Sequence, residues 1–363
     1  MALLVLLLFL WQYGLLHFTL PTICTQATCA RKVENLPPYV VEYGMQLFNH
    51  KFSNRVLTQQ PPAPLVWLDI GEGYFPSDIY AQVENTDPNI NFTTISGAPT
   101  PLTLDNLDVL NGFGNNGRNV FLTSRIDVTT DPIWLDGIVP DSHGKTKGAV
   151  SCAIIVNDHG SGRVDAFYMY FYAYNLGNTV LFRELGNHIG DWEHNMIRFQ
   201  DRKPIEMWFS QHGNGQAFTY DAVEKKGIRP VTYSAMGSHA NYAIAGIHDH
   251  TIPDLNLPAG FLLDYTSQGM LWDPTLSAYF YNYNPEDRSF SSAGDGSSPL
   301  GAMNYKGRWG DEQYPDDDPR QELFFGFYKY VGGPTGPWDK QLNRTLICPS
   351  NGIPCIVRKS LSP

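Results

Sequence analysis

Residues 186–199 read GNHIGDWEHNMIRF, and whether they form a strand decides both the fold and the candidate site. Read as a strand from Asp191, alternation puts Asp191, Glu193, Asn195, Ile197 and Phe199 on one face. Trp192, His194, Met196 and Arg198 take the other. Two residue rises set Asp191 and Glu193 about 7 Å apart on the same side. Carboxylates that close repel unless a proton or a cation lies between them. His188, in the turn just before, can swing onto that side. One imidazole and two carboxylates form a mixed nitrogen–oxygen set suited to Mg²⁺, Mn²⁺ or Ca²⁺ ahead of Zn²⁺. The alternative is a satisfied polar network. There Asp191 caps a turn, Glu193 pairs with Arg183 or Arg198, and His194 is an ordinary core histidine.

The rest of the chain supports a strand reading. Its 363 residues include 20 Tyr, 20 Phe and 8 Trp, bulky rings that suit sheet surfaces better than helical bundles. RNVFLTSRIDV, GAVSCAIIV, VDAFYMYFYAY, PIEMWFS, GQAFTYDAV and RPVTYSAM all read as strands joined by Gly, Asp, Asn and Pro. FLLDY and LFFGFYKYV are the clearest strands of the second half, and a short helix is expected over 36–48. No fixed-period repeat or long linker divides residues 31–363. The expected fold is mainly β, a single-domain β-sandwich with long loops and a few short helices.

Charge and targeting signals narrow the partners. A formal charge of −11 without a basic stripe argues against nucleic acid. The first thirty residues carry no charged side chain, and Thr28-Cys29-Ala30 closes their apolar run with small residues. This predicts a cleaved signal peptide over residues 1–30, with no stable transmembrane span afterwards. Two sequons, at Asn91 and Asn343, fit passage through the secretory pathway to the outside or to the vacuolar lumen. Cys348 and Cys355 bound a loop of disulfide size, and Cys152 in AVSCAIIV is expected to be a buried thiol.

Several motifs fail on context. Gly112-Phe-Gly114-Asn-Asn-Gly117 matches a dinucleotide fingerprint in spacing, but a strand-like run follows it where a helix is needed. No G-x-S-x-G elbow or H-E-x-x-H pair occurs. Six histidines nevertheless crowd into 188–250: His188, His194, His212, His239, His248 and His250. His239, in YSAMGSHANY, is a candidate fourth metal ligand beside His188, Asp191 and Glu193. His212 and His239 are the candidate general bases. His248-Asp249-His250 also sets two imidazoles on one side if extended.

Five segments together resemble a fungal member of the vacuolar protein sorting-associated protein 62 family: GNHIGDWEHNMIRF, EMWFSQHGNGQAFTYDAVEKKGIRPVTYSAMGSHANYA, HDHTIPDLNLP, LLDYTSQGMLWDPTLSAYFY and GRWGDEQYPDDDPRQELFFGFYKYVGGPTGPWDK. The likeness runs from PLVWLDIGEGYFPSD to Cys348. It implies a role in delivery to the vacuole and no particular chemistry. Residues 187–193, NHIGDWE, are also similar to the Gly-His-Arg-His-Asp-Trp-Glu heptapeptide of necrosis- and ethylene-inducing-like secreted proteins. That resemblance implies a β-sandwich holding a divalent cation and binding sphingolipid headgroups, with His188, Asp191 and Glu193 in the matching positions. Asn187 and Gly190 depart from the heptapeptide. The upstream aspartate ligand has at best Asn178 opposite it, and the later histidine-bearing strand corresponds to His239.

Three functions follow from these readings. The first is a binding module that holds a glycan, a lipid headgroup or a small molecule through a divalent cation. The second is a metal-assisted enzyme, a hydrolase or a modifier of small metabolites. The third is a trafficking or structural protein whose polar cluster only stabilises the core.

Overall fold

The computed structural model describes residues 63–361 apart from 253–254 and 295. The expected signal peptide and the helix expected over 36–48 lie outside the described residues.

Eight strands form the main sheet. From edge to edge they are Ser289–Ser292, Ala278–Asn284, Cys152–Asp158, Arg163–Asn175, His188–Gln200, Lys203–Gln211, Asn214–Thr219 and Val357–Arg358. Neighbours are antiparallel except Ala278–Asn284 on Cys152–Asp158 and Val357–Arg358 on Asn214–Thr219. The central pair, Arg163–Asn175 and His188–Gln200, is 13 residues long on each side. Nearly every position along both strands is buried, so the sheet is covered on both faces. AFYMYFYAY within this strand carries apolar or aromatic side chains at every position for that reason.

One face packs on a smaller sheet. Leu65–Leu68 runs parallel to Arg229–Ser234 and antiparallel to Leu271–Trp272. Val66, Leu68 and Trp272 meet Tyr168, Tyr170 and Tyr172 there, with the Tyr170 and Trp272 rings 5.2 Å apart. The opposite face is closed by irregular chain and the short helices Ile79–Glu84 and Leu300–Asn304. At its centre Phe171, Trp192 and Trp309 form a three-ring cluster with centroids 4.8 to 5.6 Å apart. Truncating Phe171 or Trp192 to alanine removes a fully buried ring, a loss of roughly 3–5 kcal/mol. The fold is thus mainly β with a few short helices, as expected.

Two local expectations change. LFFGFYKYV is a tight hairpin, Leu323–Phe324 against Phe327–Tyr328, because Phe325 and Gly326 both take positive φ between them. Ala278–Asn284 lengthens the main sheet from inside AYFYNYN, a period-2 run not counted among the expected strands.

Cys348 and Cys355 are bonded to each other, and Cys152 is a buried free thiol. Gly112–Gly117 is a turn region that feeds the strand Phe121–Ser124. Asn91 and Asn343 are both exposed. No helix of the described residues is long and apolar enough to cross a membrane.

Candidate functional site

The strand His188–Gln200 divides its side chains as alternation requires. Asp191, Glu193 and Asn195 face the smaller sheet, where Tyr170 and Thr232 donate to Asn195 Oδ1 at 2.9 and 2.7 Å. Trp192 and Met196 pack on the other side. His194 is a core histidine on that side: Arg344 Nη2 donates to its Nε2 at 2.9 Å. Burial, then the Arg344 charge, keeps this imidazole neutral. Neither arginine proposed for Glu193 reaches it, since Arg198 is held by Asp165 and Arg183 by Glu322.

The expected set His188, Asp191, Glu193 and His239 does not converge on one point. His188 is the first residue of the strand, not part of a turn, so its parity opposes that of Asp191. Its Nδ1 lies 2.8 Å from the Gly190 carbonyl, and its ring lines a shallow cleft with Val128, Asp311 and Glu312. Glu193 Oε2 accepts a hydrogen bond from Ser210 Oγ. Burial, and then the charge of Asp191, raises the Glu193 carboxyl to about 7. Gly190, where the heptapeptide has its second histidine, takes φ +68°, and a Cβ there would stand 1.7 Å from the Trp309 carbonyl oxygen. No side chain fits at that position.

Asp191 and His239 do meet. His239 Nδ1 donates to Asp191 Oδ2 at 3.0 Å and Nε2 donates to the Tyr74 carbonyl at 2.9 Å. Its ring stacks on Tyr172 at 3.7 Å. Glu72 completes this hub, 3.8 Å from His239 Nε2. Its carboxylate also accepts from the backbone N–H groups of Gly73, Tyr74 and Gly237. Burial opposes charge on His239, but Glu72 and Asp191 outweigh it and lift the imidazole to about 10. Burial likewise opposes ionisation of Glu72, and His239 with the N–H donors reverses it, so the carboxyl falls below its usual range. His239 is fully buried with both ring nitrogens engaged. It offers nothing to a substrate, so of the two candidate bases only His212 remains open.

His212 belongs to a second group. Among the described residues, one cluster of three or more metal-ligating side chains has ligand atoms within 4.8 Å of one another: His212, His250 and Asp264. Asp264 is buried in the strand Leu263–Thr266. It accepts from His212 Nε2 at 2.8 Å, Ser238 Oγ at 2.7 Å, Tyr242 Oη at 2.7 Å and Asn178 Nδ2 at 3.2 Å. Asn178 therefore serves this group and not Asp191, and its Oδ1 lies 2.8 Å from His250 Nε2. The His212 and His250 rings are 4.0 Å apart. His212 keeps 30% of its side chain exposed, which gives the cluster its opening to solvent. His248 turns away to stack on Tyr242 and meet Thr266 Oγ1.

The charges in this group are unequal. Burial disfavours a charged His212, but Asp264 overrides it and raises the imidazole to about 9. Asp264 is itself pushed well below its usual range, because His212 and the other donors outweigh burial. Burial and the His212 charge lower His250 to about 4. At neutral pH the group holds one carboxylate, one proton shared with it, and one neutral imidazole. Two imidazoles to one carboxylate suit Zn²⁺ or Mn²⁺ better than the Mg²⁺ or Ca²⁺ expected from a carboxylate-rich set.

The comparisons with known proteins fall on this same region. The vacuolar protein sorting-associated protein 62 family matches residues 173–257, which include every candidate above except Glu72 and Asp264. TDA6 of Saccharomyces cerevisiae is 38% identical over 314 residues, 78% of this chain and 66% of its own. Vacuolar protein sorting-associated protein 62 of the same yeast is 36% identical over 251 residues, 64% of this chain and 53% of its own. The chain belongs to the vacuolar protein sorting-associated protein 62 family. It spans about two thirds and about half of the length of these two family members. No solved structure matches it.

Sequence reasoning passed over Asp264 and Glu72. An aspartate inside FLLDYT, an apolar run in a buried strand, was the available signal, because such a charge needs partners. Glu72, in a Gly-Glu-Gly turn, carried none.

Proposed function

We propose that the chain serves a vacuole-related sorting step as a binding protein, with His212, His250 and Asp264 taking a divalent cation that holds a glycan or lipid headgroup. The observation that carries this reading is Asp264. Its carboxylate is buried, yet the charge that compensates it is an imidazole open to solvent. A buried carboxylate requires a positive partner, and here the partner is exchangeable. Ligation by an imidazole requires its proton to leave. The proton on His212 therefore stands where a cation would enter, and cation binding releases it. Asn178 and Tyr242, bonded to His250 and Asp264, are placed to orient the ligands from behind.

Calorimetry with Zn²⁺ and Mn²⁺, beside elemental analysis of the purified protein, tests this. Wild type should bind one ion per chain and release protons in doing so. His250→Gln, at a half-buried position, should fold normally and lose affinity by roughly 10–100-fold. Failure of folded wild type to bind either ion sinks the cation reading. Glycan and headgroup screens with and without chelator then find the ligand.

A metal-assisted enzyme is the second reading, and one observation favours it. Glu193, a buried carboxyl bonded to the Ser210 hydroxyl, lies near enough to His212 to raise its basicity. Hydrolysis of ester or phosphoester probes that is lost in Glu193→Gln, with cation affinity intact, would replace binding by catalysis.

A further inference from the structure

Three loops lie beside the His212–His250–Asp264 group, and each carries bare apolar side chains. The hairpin Asn178–Val180 to Arg183–Leu185 turns through Leu181 and Phe182, which are 67% and 99% exposed. The hairpin Leu323–Phe324 to Phe327–Tyr328 turns through Phe325, 71% exposed, and Gly326. Phe261, from the third loop, places its ring 6.1 Å from Phe325 and 6.2 Å from Phe327. Two hydrogen bonds hold the loops side by side: Arg183 Nη1 donates to Glu322 Oε1 at 2.5 Å, and Asn178 Nδ2 donates to the Leu263 carbonyl at 2.8 Å.

These tips cost the fold something and return little to it. Leu181, Phe182 and Phe325 all have positive φ, at 49°, 66° and 49°. Two-residue hairpin turns of that kind ordinarily take Asn and Gly, which reach the left-handed region with less strain. Here the strained positions hold apolar side chains that leave about two thirds or more of their surface exposed. Clustered exposed apolar groups mark a contact with something outside the chain.

We propose that these tips insert into the boundary between headgroups and acyl chains of a zwitterionic lipid bilayer. Shape favours lipid over a protein partner: the rings stand on separate turn tips and project, as wedges into a fluid layer do. Charge favours a zwitterionic surface. The hairpin bases carry paired charges, Arg183 with Glu322 and Lys329 with Glu184 at 3.7 Å, which complement the phosphate and ammonium of such a headgroup. A net charge of −11 opposes an anionic surface. The inference does not rest on the cation reading, although it sets the His212–His250–Asp264 opening next to the headgroup layer.

The test is flotation with phosphatidylcholine vesicles, wild type beside Leu181→Ser/Phe182→Ser. The double variant should keep its thermal midpoint and lose at least about ten-fold in bound fraction, in line with the area-dependent binding of interfacial segments. A dye sensitive to its environment, attached at Phe182→Cys in a background with Cys24 and Cys29 changed to serine, reads the insertion directly. Cys152 is buried and Cys348 is bonded to Cys355, so the label has one site. Its emission should shift to the blue on vesicles and be quenched by brominated acyl chains. Survival of binding in chelator separates this result from the fate of the cation site. Equal flotation of wild type and double variant, or a label that stays unquenched on floated protein, overturns the proposal. So does a wild-type dimer that the double variant dissolves without any vesicle binding, which would assign the tips to a second copy of the chain.

Discussion

His239 and His212 lie at the same end of the main sheet, each sharing a proton with a carboxylate, at 3.0 Å from Asp191 and 2.8 Å from Asp264. Around His239 every direction is used. Both ring nitrogens donate, the face stacks on Tyr172, and no part reaches solvent. Around His212 the carboxylate is equally deep, but the imidazole is partly exposed and a second imidazole lies against it. The pair chemistry is the same in both. Access is what separates a fastening from a site.

The largest effect that can break this comparison is on stability. Asp191→Ala leaves the His239 imidazolium buried against Glu72 alone and should cost about 3–5 kcal/mol in urea denaturation, the penalty for removing one partner of a buried pair. A loss below about 1 kcal/mol would mean that the hub is not the fastening described.

The pH dependence follows in size. His239 is raised in the folded chain from 6.5 to about 10. Its contribution is therefore complete below pH 6.5 and is lost as pH rises from there through about 10. Glu72 has the opposite sign: lowered from 4.5, it contributes above that value and loses the contribution as pH falls through its folded pKa. Denaturation midpoints measured from pH 6 to 10 should fall in wild type and stay flatter in His239→Gln. Parallel slopes would show that His239 does not carry the alkaline loss.

Much of this was legible in residues 186–199. Alternation alone put Asp191, Glu193 and Asn195 on one face and Trp192, His194 and Met196 on the other, because a side-chain period of two follows from backbone geometry. Parity also contained the correction for His188, had the strand been started three residues earlier. What the chain does not display locally are contacts made by loops from elsewhere. Glu72 reaches His239 across 167 positions and Asp264 reaches His212 across 52, distances over which no pattern in the intervening residues reports. The expected set joins the near neighbours His188, Asp191 and Glu193 to His239, whereas the fold gathers His212, Asp264 and His250 from three separate segments.

Glu193 sharpens the comparison from between the two groups. Its carboxyl is raised from 4.5 to about 7, so the wild-type chain loses stability as pH rises through that interval. Glu193→Gln removes the ionisable group and keeps an acceptor for Ser210. The variant should gain relative to wild type by about 1–3 kcal/mol at pH 8 and show no such gain at pH 4, at 1.36 kcal/mol per pKa unit. Equal stabilities at both pH values would mean that a cation or another donor already compensates the carboxylate.

The smallest expected change in stability tests the other half of the comparison. His250→Gln removes one ring from His212 and one hydrogen bond to Asn178, both at a half-buried surface. A neutral hydrogen bond there contributes about 0.5–1.5 kcal/mol, well below the cost of Asp191→Ala. The imidazole lost is neutral at pH 7, so no charge is left stranded and Asp264 keeps its four donors. If the group were only a fastening, nothing but this small loss would follow. If it is a site, the same variant forfeits a nitrogen ligand, and Zn²⁺ or Mn²⁺ affinity falls far more than stability does. The ratio of the two losses, measured on one protein preparation, states which kind of group His212 belongs to.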